Sequence, residues 1–358
     1  MLKNHLLILN QIEIMKKKNV IFLSLLAMLT VIGTAILIKQ YYHYSVSNFT
    51  SHDGQSHAYH LCPGCTTDSV LELILEDYEM TSKWTWNTQC QWKGFHQTLP
   101  GYYRFPAQLS NREMIRRLQF GEQTPLKLSF TQTIRTREQL AAFMGKKLLL
   151  DSAEVKRRLD DKDFMLRYGL TPETAVCMFI PNTYEVYWTM TPDQLFDRMY
   201  KEYKRFWTEE RLVKAKNLGL KPTEVATIAS IIASETNKSS EFPIIASIYI
   251  NRLRKGMALQ ACPTVIFAVG DFSLRRVLKK HLEIDSPYNT YKYRGLPPGP
   301  IRLTRPDLLD AVLNAPRTDY LYMCANPDFS GTHVFSSSYA KHSAVAREYQ
   351  RELNRRKL

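Results

Sequence analysis

Several recognition motifs are missing from this sequence of 358 residues. It contains no RNP-like motif, no zinc-finger spacing and no run in which lysines alternate with aromatic residues. We therefore expect no nucleic-acid partner. The nine histidines are scattered along the chain, and we expect neither a metal nor a cofactor.

A second C-x-x-C motif is also missing. Among six cysteines, only Cys62 and Cys65 are close in sequence, in the motif C-P-G-C. Such a pair can be a redox centre or half of a metal site. A thioredoxin-like enzyme would carry it between a strand and a helix of a βαβ unit, which the flanking residues do not predict. We favour a local disulfide or free thiols, and the pairing stays open.

The sequence has fewer acidic than basic residues. It contains 34 Asp and Glu and 48 Lys and Arg, which gives a net charge of +14. The isoelectric point is near 9.4. A basic surface favours an anionic partner such as acidic lipid or an anionic polymer, although a merely solvated basic surface is the alternative. The length allows roughly two domains, each with its own core.

The N-terminal region contains a long uncharged segment. Lys16–Lys18 precede residues 20–38, which read VIFLSLLAMLTVIGTAILI. This run is long enough to span a bilayer, exceeds the apolar core of a signal peptide and is followed by no small-x-small cleavage site. Because the lysines cluster before the span, the positive-inside rule leaves the N-terminus in the cytoplasm and exports residues 39–358. A cleaved signal peptide is the alternative, and Met15 is our hypothesis for the true start.

The region after the span predicts a small α+β module. Residues 68–79 have the apolar spacing of a helix with Asp68 as its cap. Residues 99–130 predict a short strand, a helix that begins at Ser110 or Asn111 and ends at Gly121, and a second strand. This order resembles LysM-like glycan-binding units, and a module that only packs is the alternative.

The middle of the chain predicts mostly helix. Residues 135–168 have the charge of solvated helices, and VCMFIPNTYEVYW predicts two strands joined by a turn. Thr191 followed by Pro192 caps a long helix that we expect to end near Gly219.

Residues 228–242, IASIIASETNKSSEF, contain an apolar helical stripe that ends in an acid. Ile228, Ile231, Ile232 and Glu235 follow the i, i+3, i+4, i+7 spacing of one helix face. Both an apolar environment and the negative end of the helix dipole disfavour ionisation of Glu235. A carboxyl group kept protonated in this way suits a general acid. A partly exposed glutamate in the last turn is the alternative.

A second helix follows closely, over FPIIASIYINRLRKG. Ser240 and Glu241 open it, Pro243 lies in its first turn, and Gly256 is its expected C-cap. Glu241 is expected to have only this role at the start of the helix.

Four motifs then occur in order: ASIIASET, YINRLRKGMALQACPTV, SPYNTYKYRGLPPGPI and TDYLYMCANPDFSGTHVFSSSYAKHSAVAREY. Together they resemble the YceG-like (MltG) endolytic murein transglycosylases. The resemblance implies a membrane-anchored enzyme that cuts within peptidoglycan strands and that has Glu235 as its catalytic acid. Members commonly have Glu where this chain has Ala233, and Asp where it has Cys262.

A lytic transglycosylase needs a single carboxyl group. It protonates the glycosidic oxygen, and the 6-hydroxyl of the same N-acetylmuramic acid then attacks C1 to leave a 1,6-anhydro end. A hydrolase that uses Glu235 with Glu241 or Asp285 is one alternative, since glycosidases that admit water normally need two carboxylates. A non-catalytic cell-wall binding protein is the other.

Candidate substrate-binding residues are polar or aromatic side chains within these motifs. Asn251 lies on the inward face of the second helix, where it could orient Glu235 or bind an N-acetyl group of the substrate. The alternative is a structural hydrogen bond from the helix to a loop. His333 is more typical of a core or loop histidine than of a catalytic one. The candidates are Asn251, Gln260, Tyr288, Asn289 and Tyr291.

The expected fold class is α+β, with one transmembrane helix, a small LysM-like α+β module and a mixed α/β catalytic domain whose active-site region is helical. We expect a cytoplasmic N-terminus at 1–19, the span at 20–38, a tether at 39–60, the small module at 61–170 and the catalytic domain at 171–358. The location implied is the inner (plasma) membrane, with the catalytic domain periplasmic or extracytoplasmic. The expected partners are peptidoglycan strands and the lipid bilayer, and the resemblance is compatible with membrane-bound peptidoglycan synthases.

Overall fold

The computed structural model describes residues 2–45 and 47–356, which form two compact units. The N-terminal unit comprises the chain up to Leu126 together with Tyr187–Thr189, and the C-terminal unit comprises Lys127–Val186 and the chain from Met190. The expected N-terminal segment, tether and catalytic domain each include residues outside the described part. These are Met1, Val46, Lys357 and Leu358.

Helix α1 (Leu2–Ser45) contains the long apolar segment. Its stretch Ile12–Tyr42 is long and apolar enough to cross a membrane, and none of its most apolar window is buried. The hydroxyls of Ser24, Thr30 and Thr34 donate to carbonyls one turn earlier in the helix. These bonds satisfy polar groups that an apolar environment would leave unpaired. The predicted span at 20–38 lies inside this helix.

The N-terminal unit is a mixed α+β fold. Strand β1 lies between β3 and β5 in an antiparallel sheet, and β2 pairs antiparallel with β4. Phe49, Ile74, Tyr103 and Phe105 have no exposed surface and form its core. After α1, its elements are β1 (Phe49–Ser51), β2 (His57–Leu61), α2 (Thr67–Leu75), β3 (Tyr78–Met80), α3 (Lys83–Lys93), β4 (Gly101–Phe105), β5 (Gln108–Leu109) and α4 (Asn111–Phe120).

Local sequence explains where these helices begin and end. Ser110 accepts a hydrogen bond from the Glu113 amide and caps α4, as predicted. Gly121 ends α4 in the left-handed region, with φ of 66°. Thr66, rather than the expected Asp68, caps α2 by accepting from the Ser69 amide.

The segment expected to be a tether is largely folded. Helix α1 continues to Ser45, and β1 and β2 then belong to the N-terminal unit. Phe49 is fully buried, and the alternating burial of β1 places it in the core. A strand is recognised in a sequence by apolar and polar residues that alternate. These strands are too short and too rich in polar residues to show that alternation.

The C-terminal unit is mostly helical. Strand β6 pairs with β7, and β8 pairs antiparallel with β9. Its elements are β6 (Leu126–Ser129), α5 (Arg137–Lys147), α6 (Ser152–Asp160), α7 (Lys162–Leu166), β7 (Thr183–Val186), α8 (Pro192–Phe206), α9 (Glu209–Leu218), α10 (Pro222–Glu235), α11 (Phe242–Arg254), α12 (Cys262–Val269), α13 (Lys279–Leu282), α14 (Pro306–Leu313), β8 (Tyr322–Ala325), β9 (His333–Ser336) and α15 (Tyr339–Arg356).

The boundary between the units falls at Leu126 rather than at the expected residue 170. Helices α5 and α6 bury Leu140, Val155 and Leu159 completely, so they are not the solvated helices that their charge predicted. Arg158 also donates to Asp193 of α8, at 2.7 Å. These contacts join residues 127–170 to the C-terminal unit.

Two other elements differ from the sequence-based expectation. The helix expected from Thr191 to Gly219 is two helices, α8 and α9, because Thr208 caps a new start by accepting from the Arg211 amide. The first strand expected in VCMFIPNTYEVYW is a 3-10 turn at Ala175–Met178, and only β7 forms. Met178 is almost fully buried there, which shows that burial, and not extended backbone, explains this apolar run.

The core of the C-terminal unit is built around α10, α11 and α14. Ile228, Ile231 and Ile232 have no exposed surface, which confirms the inward stripe. Pro243 lies in the first turn of α11, as expected, while this helix ends at Arg254 with Lys255 as its C-cap.

Candidate active site

Glu235 is the last residue of α10, at the point where the apolar stripe meets the surface. The Tyr249 hydroxyl of α11 donates to Glu235 Oε1 at 3.0 Å. Tyr249 is 1% exposed and packs in the core between the two helices. The acid is therefore held by a neutral donor on the neighbouring helix.

The environment of Glu235 favours its protonated form. Burial raises the pKa of Glu235, while the Tyr249 hydrogen bond and the charges of His333 and Arg252 oppose that rise. The residue nevertheless keeps some exposed surface. Glu235 is thus a carboxylic acid with little water around it that a substrate can still reach.

A cleft of about 320 Å³ opens at this residue. It runs from the end of α10 across the following loop to the start of β9. Within the described residues, Glu235 is its only acidic lining residue. The lining comprises Ala233, Ser234, Glu235, Thr236, Asn237, Lys238, Gly331 and His333.

Two more clefts of the C-terminal unit continue from this one. A cleft of about 240 Å³ shares Ala233, Ser234 and Asn237 with it and adds Arg302. A third of about 500 Å³ shares Arg135, Phe267 and Phe272 with the second. Because each shares walls with the next, they form a groove extending from Glu235, with cations and aromatic rings along it and with Glu138 and Glu173 in the third cleft. Elongated ligands suit such a surface.

Glu241 has a structural setting that the sequence did not predict. It is 5% exposed, and Oε1 accepts from the His333 amide at 2.6 Å. Its Oε2 lies 2.9 Å from His333 Nδ1 and accepts from the Thr236 hydroxyl at 3.2 Å. Both carboxylate oxygens therefore have hydrogen-bond partners within the protein. The expectation that Glu241 serves only to begin α11 was wrong. This carboxylate fixes His333 at the edge of the cleft.

Asp285 is exposed and does not line the cleft at Glu235. It accepts from Lys292 at 2.8 Å and from the Tyr293 hydroxyl at 2.5 Å. These two hydrogen bonds lower the pKa of Asp285, with Lys292 contributing most. Neither Glu241 nor Asp285 thus supplies a second available carboxylate beside Glu235.

Two of the predicted substrate-binding residues are engaged in structural bonds. Asn251 donates through Nδ2 to the carbonyls of Thr318 and Tyr320, at 2.9 and 3.0 Å. Asn289 is fully buried and donates to the carbonyls of Leu282 and Ile284, both at 2.9 Å. The structure places the two side chains in loop-fixing positions rather than in the groove.

The other three predicted residues lie in different surroundings. Tyr288 lines the third cleft, with its ring centroid 4.6 Å from that of Phe267. Tyr291 Oη lies 3.1 Å from Cys262 Sγ, and burial raises the pKa of the Tyr291 hydroxyl, with a smaller contribution from Glu235. Gln260 is exposed with φ of 50° and lines none of the three clefts. Of the five, only Tyr288 borders the groove.

The described part of the chain contains no group of three or more His, Cys, Asp or Glu residues arranged to hold a metal ion. All six cysteines lie within it and are free thiols. Cys62 and Cys65 are therefore not bonded to each other.

Comparison with known proteins identifies the family. A sequence profile described as the YceG-like family matches residues 60–348. This chain belongs to the YceG-like family. The matched range includes α10, which ends in Glu235, the following helix α11, and β9, which begins with His333.

Named relatives and a solved structure agree with this assignment. A Bacillus subtilis protein named endolytic murein transglycosylase is 28% identical over 80% of this chain and 82% of its own length. A Streptococcus pneumoniae protein of the same name is 28% identical over 66% of this chain, which spans 48% of that longer relative. A yceG-like protein from Listeria monocytogenes has a crystal structure with a TM-score of 0.53 and 24% identity, covering 81% of this chain and 99% of that one. The last comparison shows a shared fold.

This YceG-like chain departs from the expected family pattern at two positions, and both lie near Glu235. Ala233 lines the first two clefts, and its carbonyl accepts from Arg302 at 3.1 Å. Cys262 begins α12, and burial raises the pKa of its thiol, with Glu235 as a smaller cause. Neither side chain is acidic, so neither position supplies a further carboxylate near Glu235.

Sequence reasoning missed several residues of the site. Tyr249, Arg252 and Arg302 are polar groups within apolar or loop segments, a pattern that often marks a buried network. From that pattern alone we would have expected these side chains to form buried hydrogen bonds, but the sequence does not show which groups are their partners. His333 was considered and ranked as structural, yet it borders the cleft.

Proposed function

We propose that this YceG-like chain is an endolytic murein transglycosylase, a peptidoglycan lyase in which Glu235 is both acid and base. It cleaves the bond between N-acetylmuramic acid and N-acetylglucosamine within glycan strands and leaves 1,6-anhydro ends. The family, the names of its relatives and the single-acid cleft support this activity.

The proposed reaction balances without water. Protonated Glu235 gives its proton to the glycosidic oxygen, and the bond from that oxygen to C1 of N-acetylmuramic acid breaks. The 6-hydroxyl of the same sugar attacks C1, and its proton passes to the Glu235 carboxylate. The acid is regenerated, and the products are a free hydroxyl on one fragment and an anhydro ring on the other.

The surroundings of Glu235 suit both half-steps. Its raised pKa keeps the proton available for the leaving oxygen. Tyr249 bonds Oε1 and so orients the group, which leaves Oε2 for the substrate. Once the proton has left, the same hydroxyl stabilises the carboxylate until it accepts the second proton.

The observation that carries the proposal is the single acid of the cleft. A hydrolase would need a second carboxylate to activate water. Glu241 is occupied by His333 and Thr236, and Asp285 by Lys292 and Tyr293. Neither of these two candidates for a second carboxylate is therefore free, which favours the intramolecular 6-hydroxyl as nucleophile over an activated water.

The location we propose follows from α1. Residues 20–38 cross the inner (plasma) membrane, residues 1–19 stay in the cytoplasm, and the rest of the chain acts on new glycan close to the membrane. Cleavage there would end the elongation of nascent strands, with membrane-bound synthases as the fitting partners. A LysM-like role for the part of residues 61–170 that belongs to the N-terminal unit stays a prediction, and the antiparallel pairing of β2 and β4 around α2 and α3 supports it. The catalytic part, expected at residues 171–358, would then also include residues 127–170 of the C-terminal unit.

Product analysis tests the activity. Purified full-length protein is incubated with peptidoglycan, and the soluble muropeptides are analysed by mass spectrometry. We expect 1,6-anhydro ends, which are lighter than reducing ends by one water. Reducing ends would establish hydrolysis instead, and intact strands would leave only a binding role.

A further inference from the structure

Helix α3 presents two tryptophans to the outside of the N-terminal unit. Trp84 and Trp92 are 53% and 82% exposed, and with Thr88 they follow an i, i+4, i+8 spacing along one face. The opposite face is anchored in the core through Trp86 and Gln89, which are almost fully buried. Large aromatic side chains exposed in this way are unusual on a surface that meets only water.

Helix α3 also lies level with the end of the apolar segment of α1. Gln89 Nε2 donates to Gln40 Oε1 at 3.1 Å, and Lys93 Nζ lies 5.6 Å from the centre of the Tyr44 ring. Gln40 follows Ile38, the last residue of the apolar run, by two positions. At a helical rise of about 1.5 Å per residue, that is about 3 Å along the axis. The C-terminal half of α3, from Gln89 to Lys93, therefore lies beside the residues of α1 that follow its apolar run.

The composition of α3 fits a lipid interface. The helix reads KWTWNTQCQWK, with Lys83 and Lys93 at its two ends and no acidic residue. Tryptophan prefers the boundary between acyl chains and headgroups, and lysines beside it extend toward anionic phosphates. Phe120, 69% exposed, ends α4 beside it, where Gln119 donates to the Lys93 carbonyl at 3.2 Å. The exposed apolar surface is therefore wider than one helix.

We propose that α3 is a membrane-interface helix, which inserts Trp84 and Trp92 into the headgroup region of the leaflet where α1 emerges. This rests on the proposed crossing of the membrane by α1. The apolar surface of α1 would continue onto α3, so that the N-terminal unit contacts the bilayer at two places. Two contacts fix the orientation of that unit against the membrane, whereas a single helix would leave it free to rotate.

Quenching by brominated lipids tests the proposal. Full-length protein is reconstituted into vesicles of phosphatidylcholine and phosphatidylglycerol that carry bromines either near the headgroup or near the bilayer centre. We expect tryptophan emission to be quenched, and more strongly by the shallow bromines. The double variant Trp84→Phe and Trp92→Phe should lose most of this quenching while keeping its melting temperature, because both side chains are exposed.

A matched double variant, Trp188→Phe and Trp207→Phe, removes two tryptophans that are only 9% and 6% exposed. It should keep the quenched emission. Equal quenching of wild type and the Trp84/Trp92 variant, or no quenching of wild type, would overturn the proposal and favour a protein partner for this face.

Alkaline extraction of the same vesicles and the muropeptide assay separate the two proposals. Protein that resists extraction and produces anhydro ends, but shows no quenching, would disprove only the role of α3. Protein released by alkali would disprove the anchor and the interface helix together, whatever its activity on peptidoglycan.

Discussion

Two glutamates on either side of the α10–α11 reversal have opposite surroundings. Glu235 ends α10 with one neutral donor, Tyr249, on one of its oxygens. Glu241, just before α11, is the more buried residue, and both of its oxygens are occupied by His333 and Thr236. Burial by itself therefore does not distinguish the proposed catalytic acid from an acid that holds the fold together.

The difference lies in the number of donors that each carboxylate meets. A carboxyl group whose two oxygens both accept hydrogen bonds from the protein, as in Glu241, serves as a structural acceptor. A carboxyl group with one donor and little water retains a proton that it can give away. Because Glu241 holds His333 at the edge of the cleft, the second glutamate also shapes the surroundings of the first.

Replacing Glu235, the proposed catalytic acid, should have the largest effect. Glu235→Gln keeps the shape of the side chain but can neither give a proton to the leaving oxygen nor accept one from the 6-hydroxyl. General acid–base catalysis is typically worth ~10²–10⁴-fold, so we expect at least this loss in the rate of anhydro-end production. A variant that stays within tenfold of wild type would disprove the single-acid mechanism.

Stability gives an independent check on the same variant. Because folding raises the pKa of Glu235, the folded chain binds more protons than the unfolded chain between the two pKa values, and wild-type stability falls as pH rises through that window. The neutral amide lacks this penalty. The melting temperature of Glu235→Gln should equal or exceed that of wild type near neutral pH, and the gain should vanish below the ordinary glutamate pKa of about 4.3.

Replacing the structural acid should mainly cost stability. Glu241→Gln keeps an acceptor for the His333 amide but turns an N–H group toward His333 Nδ1 and the Thr236 hydroxyl. Leaving a buried hydrogen-bonding group unsatisfied typically costs about 1–3 kcal/mol, which chemical denaturation would measure. An equally inactive yet fully stable variant would instead restore the two-carboxylate hydrolase as the better account.

Removing the single donor of Glu235 should shift the pH dependence. Without the hydroxyl, Tyr249→Phe loses a bond that favours the carboxylate, so the pKa of Glu235 should rise further. Activity that needs the protonated acid would then persist to higher pH, and its alkaline limb should move upward. A pH profile of anhydro-end production measures this, and a limb that moves downward contradicts the assignment.

The smallest effect is expected at the exposed carboxylate. Asp285→Asn removes an acceptor shared by Lys292 and Tyr293 on the surface, where such pairs contribute little. Activity and melting temperature should both stay at wild-type values, which makes this variant the matched control for Glu235→Gln. A large loss of activity would show that Asp285 reaches the substrate.

Local patterns in the sequence were sufficient for several features. The apolar run at 20–38, the stripe that ends in Glu235, and the caps at Ser110 and Thr191 depend on residues within a few positions of one another. Helix spacing and capping act over that range, so a sequence alone determines them. The short polar strand β1 carries no such pattern, and its place in the sheet was not predicted.

The tertiary structure alone decided what surrounds the acid. His333 meets Glu241 across 92 positions of the chain, and Asn251 is held by carbonyls 67 and 69 positions away. The sequence left Asn251 open between substrate and structure. It predicted that Glu241 starts a helix, with a second catalytic carboxylate as the alternative. Which donors reach a buried polar group depends on how distant elements pack, and no spacing along the chain encodes that.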